Sequence, residues 1–341
     1  MEQLSDFTTL RVGGPAQKIV HAHTEDELIE FVKAADAASE QVLILGGGSN
    51  LLISDSGFAG TVIRVESKGS ALDYDACSGG MIEVAAGEDW DKFVELTINK
   101  GFADLESLSG IPGTIGGAPI QNIGAYGHEV SETIARVKAY DRKKGEVVTL
   151  TNAQCNFSYR SSVFKQEADR YVILNVTFQL RKGEESLPIS YIELANYLGI
   201  KLGERAVVTK VRQAVLDLRG RKGMLLNPTD SNTYSAGSFF VNPILSKAEA
   251  EKLPKDAPRW PQADGRVKTS AAWLMEHAGI FKGEKLAGAQ ISNKHVLALT
   301  NSGDARAEDI VELAKKARAA VFKKFGIKLQ AEVQLVGLDL N

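Results

Sequence analysis

Positions 110–127, GIPGTIGGAPIQNIGAYG, constrain this chain more than any other part of it. Six of these residues are glycine, two are proline and none is charged. Proline removes a backbone donor and interrupts helix and sheet interiors, and every glycine costs conformational entropy when it is ordered. The stretch therefore reads as neither a long helix nor a regular strand, but as irregular backbone held by packed surroundings. Two readings are open from these residues alone. One is a buried turn between packed elements. The other is a cradle, in which backbone N–H groups and bare glycine faces receive an anionic or flat ligand without cationic side chains.

A second loop tips that balance. In ILGGGSNLL the residues Gly46, Gly47, Gly48, Ser49 and Asn50 follow directly on an apolar strand. This is not the dinucleotide fingerprint G-x-G-x-x-G, which would need glycine at Leu51 and a helix after it. Nor is it a P-loop, because no Gly-Lys-Ser/Thr follows. Two uncharged glycine loops favour one shared ligand over two coincidental turns.

Around these loops the pattern is α+β. Thr24 and Glu27 form a capping box ahead of a helix that turns Leu28, Phe31, Val32 and Ala35 to one side. TVIRVES, MIEVAAG and RYVILNVTFQL read as strands, and ETIARVKAYDRKKGEVVTLT as a hairpin turning at Lys144-Gly145. Trp90, Phe93, Val94 and Ile98 give a helix that stops at Gly101. Composition changes at RKGEESLP, residues 181–188. Beyond it come a helix carrying Val208, Val211, Ala214, Val215 and Leu218, and another over about 308–325 capped by Gly326. LQAEVQLVGL closes the chain as one alternating strand.

The 341 residues suffice for two or three domains, and 44% hydrophobic with 24% charged residues is ordinary for a globular protein. A net charge of −3 offers nothing to nucleic acid or to an acidic membrane surface, so neither partner is expected. Cys77 and Cys155 have no metal-ligand spacing, and no metal is expected. Two thiols without a framework suit a reducing compartment, with one disulfide left open. The N-terminus does not read as a secretory signal, and no apolar run approaches the ~20 residues that span a bilayer. A cytoplasmic location is expected.

Three single residues carry possible chemistry: Arg160 in FSYRSSVFK, Ser238 in AGSFFVNP, and Glu332 on the polar side of the last strand. Each has an ordinary reading as a solvated arginine, a turn serine or a wet carboxylate. A cation, a hydroxyl and a carboxylate from distant segments are also what a composite active site needs.

Taken together, TTLRVGGPA, ILGGGSNLL, GIPGTIGGAPIQNIGAYG, YRSSVFK, AGSFFVNP and the late AEV resemble the UDP-N-acetylenolpyruvoylglucosamine reductase family, in its order and over about residues 8–335. The resemblance implies a two-lobed FAD-binding domain of the vanillyl-alcohol-oxidase (PCMH) type over 1–182, with lobes of about 1–66 and 67–182. A connecting segment with a tyrosine loop over 183–215 and a C-terminal α+β substrate-binding domain over 216–341 follow. The implied reaction is NADPH-dependent, FAD-mediated reduction of UDP-N-acetyl-3-O-(1-carboxyvinyl)-glucosamine to UDP-N-acetylmuramate, in peptidoglycan precursor synthesis. Hydride passes from reduced flavin to C3 of this enolpyruvyl ether, and a proton from Ser238 to C2.

Carried over position by position, Arg160 and Glu332 hold and polarise the substrate carboxylate. The implied flavin contacts are Gly46, Gly47, Gly48, Ser49, Asn50, Leu51, Gly113, Thr114, Gly117, Ala118, Gln121, Asn122 and Gly124. Tyr191 falls where type I members place a tyrosine over the nucleotide sugar. Lys222 meets a diphosphate of the sugar nucleotide or of NADPH, Asn242 lines the same pocket, and His295 matches a further motif. Val241 departs from relatives that carry a basic residue there. With no second dinucleotide fingerprint, one pocket serves NADPH and the sugar nucleotide in turn, and a monomer is expected. Two rivals remain: an FAD-dependent oxidase or dehydrogenase of a sugar or hydroxy acid, its flavin tethered through His128, and a non-catalytic nucleotide-binding or flavin-binding regulator.

Overall fold

The computed structural model describes residues 2–75 and 79–341; Cys77 lies outside them. Cys155 is a buried free thiol, and burial pushes its pKa up to about 12. No helix among the described residues is long and apolar enough to cross a membrane.

The chain forms two compact units that interleave along the sequence. The larger comprises Gln17–Gly47 and Ala59–Leu225. The smaller comprises the N-terminal residues up to Ala16, Gly48–Phe58 and Leu226–Asn341. This differs from a linear division: residues 48–58 join the C-terminal unit, because Leu51–Ile53 pairs in parallel with Gln334–Val336. Leu10, Val12 and Leu52 are buried in the same core as the C-terminal helix.

In the larger unit a five-stranded antiparallel sheet has the order Glu146–Thr151, Ile134–Asp141, Tyr171–Leu180, Gly79–Ala85, Ser70–Asp75. The expected hairpin is its outer pair, with Gly145 at φ +72 in the turn. Asp141, 1% exposed, ties this turn together. Its carboxylate accepts the backbone N–H of Lys143 and Lys144, and Arg170 Nη2 at 2.7 Å. The Arg170 guanidinium holds the Asp141 carboxyl below its usual 3.8, against the opposing effect of burial. A carboxylate whose folded pKa is depressed stabilises above the unfolded value and loses that contribution as pH falls through the folded one. Asp141→Asn should therefore melt below wild type at neutral pH, and thermal scans of the two should converge as pH drops below 3.8. A constant gap down to the lowest pH would assign the loss to packing instead.

The helix Trp90–Asn99 lies against this sheet through Trp90, Phe93 and Phe178, with ring centroids 5.0–6.4 Å apart. Fully burying one such side chain contributes about 1.5–3 kcal/mol. Beside the sheet, Ala16–Ala22, Phe58–Val65 and Val42–Leu45 form a three-stranded sheet, with Val42–Leu45 parallel to its neighbour.

The smaller unit packs the helix Ala307–Phe325, closed by Gly326 at φ +70, on the small antiparallel sheet Lys285–Leu286, Ala289–Ile291, Leu299–Asn301. The closing segment is not one continuous strand. Residues 330–332 run beside Phe239–Val241, through Glu332 N–H to Phe239 O at 2.8 Å and Val241 N–H to Gln330 O at 3.0 Å. Only then does Gln334–Val336 join Leu51–Ile53, so the segment changes partner halfway.

Candidate active site

Within the larger unit the two glycine loops touch backbone to backbone. A Cβ on Gly47 would lie 2.8 Å from Gly113 Cα, and one on Gly46 would lie 2.5 Å from Thr114 Oγ1. Gly113 has φ +128. The stretch is anchored on the end of the strand Gly79–Ala85 and on the start of the Trp90 helix. Trp90 N–H donates to Gly113 O, Ile115 N–H to Glu88 O and Gly116 N–H to Ala86 O. Ile115–Gly117 makes one 3-10 turn.

The expectation that this loop offers a row of amides needs correction. The N–H groups of Ile115, Gly116, Gly117, Ala118, Asn122 and Ile123 all donate to carbonyls of the chain. What the loop presents instead is bare surface. Gly117 is exposed, and a Cβ there would meet only Thr114 Oγ1, at 3.9 Å. Ala118 is buried and Gln121 half-buried. Uncharged, glycine-faced backbone of this kind fits a flat, largely apolar ring system.

Gly48, Ser49, Asn50 and Leu51 belong to the smaller unit. Gly48 has φ +58, and a Cβ there would meet Phe7 O at 1.9 Å. Asn50 Nδ2 donates to Glu332 O at 3.2 Å, which ties the first loop to a candidate catalytic segment.

Arg160 occupies the third position of the turn Ser158–Ser161, closed by Ser161 N–H to Ser158 O at 3.0 Å. Its φ is +53, a conformation that glycine or asparagine usually takes at this position. Its guanidinium donates to Gly124 O at 2.8 Å and Asn122 O at 3.4 Å. An arginine kept where glycine would be easier is strain of the kind found at functional sites.

Tyr191 and Lys222 lie in the same unit. Tyr191, 40% exposed, is the N-cap of the helix Ile192–Leu198 and meets the Tyr126 ring edge-on at 5.5 Å. Burial pushes Tyr126 up to about 12 and raises Tyr191, in both cases reinforced by Glu193. Lys222 closes the helix Val208–Arg221, pairs with the Glu193 carboxylate and sits 5.9 Å from the Tyr126 ring centroid. Arg219 donates to Gly110 O at 3.1 Å and Met224 O at 3.0 Å, and burial lowers its pKa to about 10. Arg160, Arg219 and Lys222 thus lie in the same unit, with Lys222 paired to the Glu193 carboxylate.

Sequence reasoning missed Arg219, Tyr126 and Glu193. Arg219 reads as an ordinary surface arginine of an amphipathic helix. Tyr126 stood inside the quoted glycine stretch, where an aromatic among glycines was the available signal.

The smaller unit brings Ser238 and Glu332 onto adjacent segments. Ser238 precedes Phe239 and Phe240, both 1% exposed, with rings 5.0 Å apart. Phe239 N–H donates to Leu297 O and its carbonyl accepts from Glu332 N–H, each at 2.8 Å. Asn242 Oδ1 accepts the N–H of Ala271 at 2.9 Å, capping the helix Ala271–His277. His295 is half-buried, two residues before Leu297, and Val241 is half-buried beside Gln330. His128, the residue a tethering reading would use, has Nδ1 2.8 Å from Glu132 Oε2.

Comparison with known proteins gives a consistent result. Residues 16–151 match the model of an FAD binding domain, and residues 227–336 that of the C-terminal domain of UDP-N-acetylenolpyruvoylglucosamine reductase. The UDP-N-acetylenolpyruvoylglucosamine reductase of Cutibacterium acnes is 50% identical over 340 residues, covering 99% of this chain and 90% of that one. The enzyme of the same name from Streptomyces avermitilis is 48% identical over 348 residues, covering 99% and 94%. The crystal structure of UDP-N-acetylenolpyruvylglucosamine reductase from Thermus caldophilus is similar with a TM-score of 0.67 and 26% identity, covering 98% of this chain and 97% of that one. The chain belongs to the UDP-N-acetylenolpyruvoylglucosamine reductase family, the FAD-dependent oxidoreductases that complete UDP-N-acetylmuramate for peptidoglycan synthesis.

Proposed function

We propose that this member reduces UDP-N-acetyl-3-O-(1-carboxyvinyl)-glucosamine with Arg160 and Glu332 on the substrate carboxylate and Ser238 as the acid at C2. The observation that carries this reading is the Arg160 turn, strained at φ +53 and clamped by its guanidinium to the carbonyls of the second glycine loop. That loop, with Gly46 and Gly47, holds FAD through bare backbone faces. Bound FAD supplies the hydride chemistry, from NADPH to C3 of the enolpyruvyl group.

Reduction at C3 leaves electron density at C2, which spreads into the carboxylate. The planar fork of Arg160 pairs with both carboxylate oxygens, where a lysine would offer a single point charge. Glu332 helps only when protonated, by donating a hydrogen bond to the growing charge; ionised, it would oppose it. Ser238 is a weak acid, but a carbanionic carbon is a strong base, so the hydroxyl suffices when it is held against the Phe239–Phe240 wall.

Lys222 and Arg219 form the diphosphate side. A diphosphate at Lys222 competes with the Glu193 carboxylate that this lysine holds. Tyr191 at the start of that helix supports the type I assignment. One pocket serves NADPH and the sugar nucleotide in turn. Both are cytoplasmic metabolites, and the enzyme acts in that compartment.

The test is direct. The purified protein should be yellow, release FAD on denaturation, and oxidise NADPH rapidly only when the enolpyruvyl sugar nucleotide is present. Double-reciprocal plots should be parallel, with inhibition at high sugar nucleotide. NADPH oxidation indifferent to the sugar would overturn the function, and intersecting lines would overturn the shared pocket.

A further inference from the structure

We propose that Asn122 is a positioning residue for Arg160, and not a contact of the flavin through its side chain. Asn122 is 0% exposed and held at φ +45. Its carboxamide is spent entirely on the protein. Nδ2 donates to Glu129 Oε2 at 2.7 Å and to Ser158 O at 3.2 Å, and Oδ1 accepts Ser131 N–H at 3.0 Å. These partners fix which end of the amide is which, because one side offers two acceptors and the other a donor.

Ser158 opens the turn on which Arg160 sits, so Asn122 grips that turn at its first carbonyl. Arg160 returns the contact, donating to the carbonyls of Asn122 and Gly124. One further bond fastens the same pair of segments, Ser162 Oγ to Ile120 O at 2.6 Å, and Lys165 Nζ donates to Arg160 O at 3.0 Å within the turn segment itself. The arginine is therefore aimed by a buried amide that reaches from the second glycine loop to the turn. Aim matters here, since displacing a reacting group by about 1 Å can cost about 10²-fold in rate.

This inference rests on Arg160 acting on the substrate carboxylate. Asn122→Asp keeps the shape and the Ser131 bond but turns both donors into acceptors, facing Glu129 and Ser158 O. Flavin reduction by NADPH and flavin reoxidation by the sugar nucleotide are measured separately by stopped flow, alongside FAD content and melting temperature. The variant should reduce at nearly the wild-type rate and reoxidise about 10–100-fold more slowly. Adding it to Arg160→Lys should cost little beyond Arg160→Lys alone, because the two act through one geometry.

Asn122→Asp also places two carboxylates together and could unsettle the fold, so Asn122→Asp/Glu129→Gln supplies the control. The swap rebuilds the buried amide–carboxylate bond but leaves a carboxylate facing Ser158 O. Melting temperature should recover while reoxidation stays slow. Reoxidation that recovers with stability, equal slowing of both half-reactions, or fully additive effects with Arg160→Lys would each overturn the proposal. Wild-type reoxidation in Arg160→Lys alone would instead overturn the role of the arginine.

Discussion

Ser238→Ala is expected to reduce its flavin with NADPH almost as fast as wild type and to reoxidise it with the enolpyruvyl sugar about 10²–10⁴-fold more slowly, the range for losing a positioned general acid. The asymmetry follows from where the proton goes. NADPH oxidation delivers no proton to the sugar, so a hydroxyl that serves C2 is silent in that half. Backbone geometry at this site is set independently of the hydroxyl: Phe239 is bonded on one side to Leu297 and on the other to Glu332, and its ring is buried against Phe240. Alanine should therefore leave this segment in place. Ser238→Cys keeps a proton on a larger atom and should recover part of the loss. Stopped-flow absorbance of the flavin in each half-reaction decides the matter, and equal slowing of both would make Ser238 structural and place the acid elsewhere.

Local signals carried well into the structure where the stabilising partner is near in sequence. The Lys144-Gly145 hairpin, the Gly326 helix stop and the helix starting at Trp90 all depend on residues within one element or one turn. The closing segment shows the opposite case. LQAEVQLVGL alternates as a single strand should, yet its first part lies beside Phe239–Val241 and its second beside Leu51–Ile53, partners that no periodicity names. The glycine loops divide in the same way. Their lack of charge pointed to bare backbone against a ligand, but the amides of 115–118 are taken by a 3-10 turn and by the ends of neighbouring elements. Asn122 reads from sequence as one more ligand contact; only the fold reveals that Glu129, Ser158 and Ser131 use its whole carboxamide. Arg219 reads as a solvated helix residue, yet it is half-buried and donates to the carbonyls of Gly110 and Met224.

Two glycine-to-valine substitutions should both weaken flavin binding, for separable reasons. At Gly47 a side chain meets Gly113 Cα at 2.8 Å and Gly113 C at 3.2 Å, backbone that cannot step aside. Valine there must push the two loops apart, so flavin and thermal stability should fall together. Gly117 is the cleaner probe. It is exposed, its backbone angles suit any L-residue, and a Cβ meets nothing of the protein closer than 3.9 Å. Surface substitutions of this kind usually change stability by no more than about 0.5 kcal/mol. Gly117→Val apoprotein should therefore melt close to wild-type apoprotein, while its affinity for FAD, titrated by flavin fluorescence, falls by about tenfold or more, since a lost close contact worth about 1.4 kcal/mol already costs that factor. Gly117→Ala should fall between the two. If Gly117→Val keeps stoichiometric FAD at wild-type affinity, the open face of this loop is not where the flavin lies. The lack of charge over residues 110–127 would then belong to packing alone.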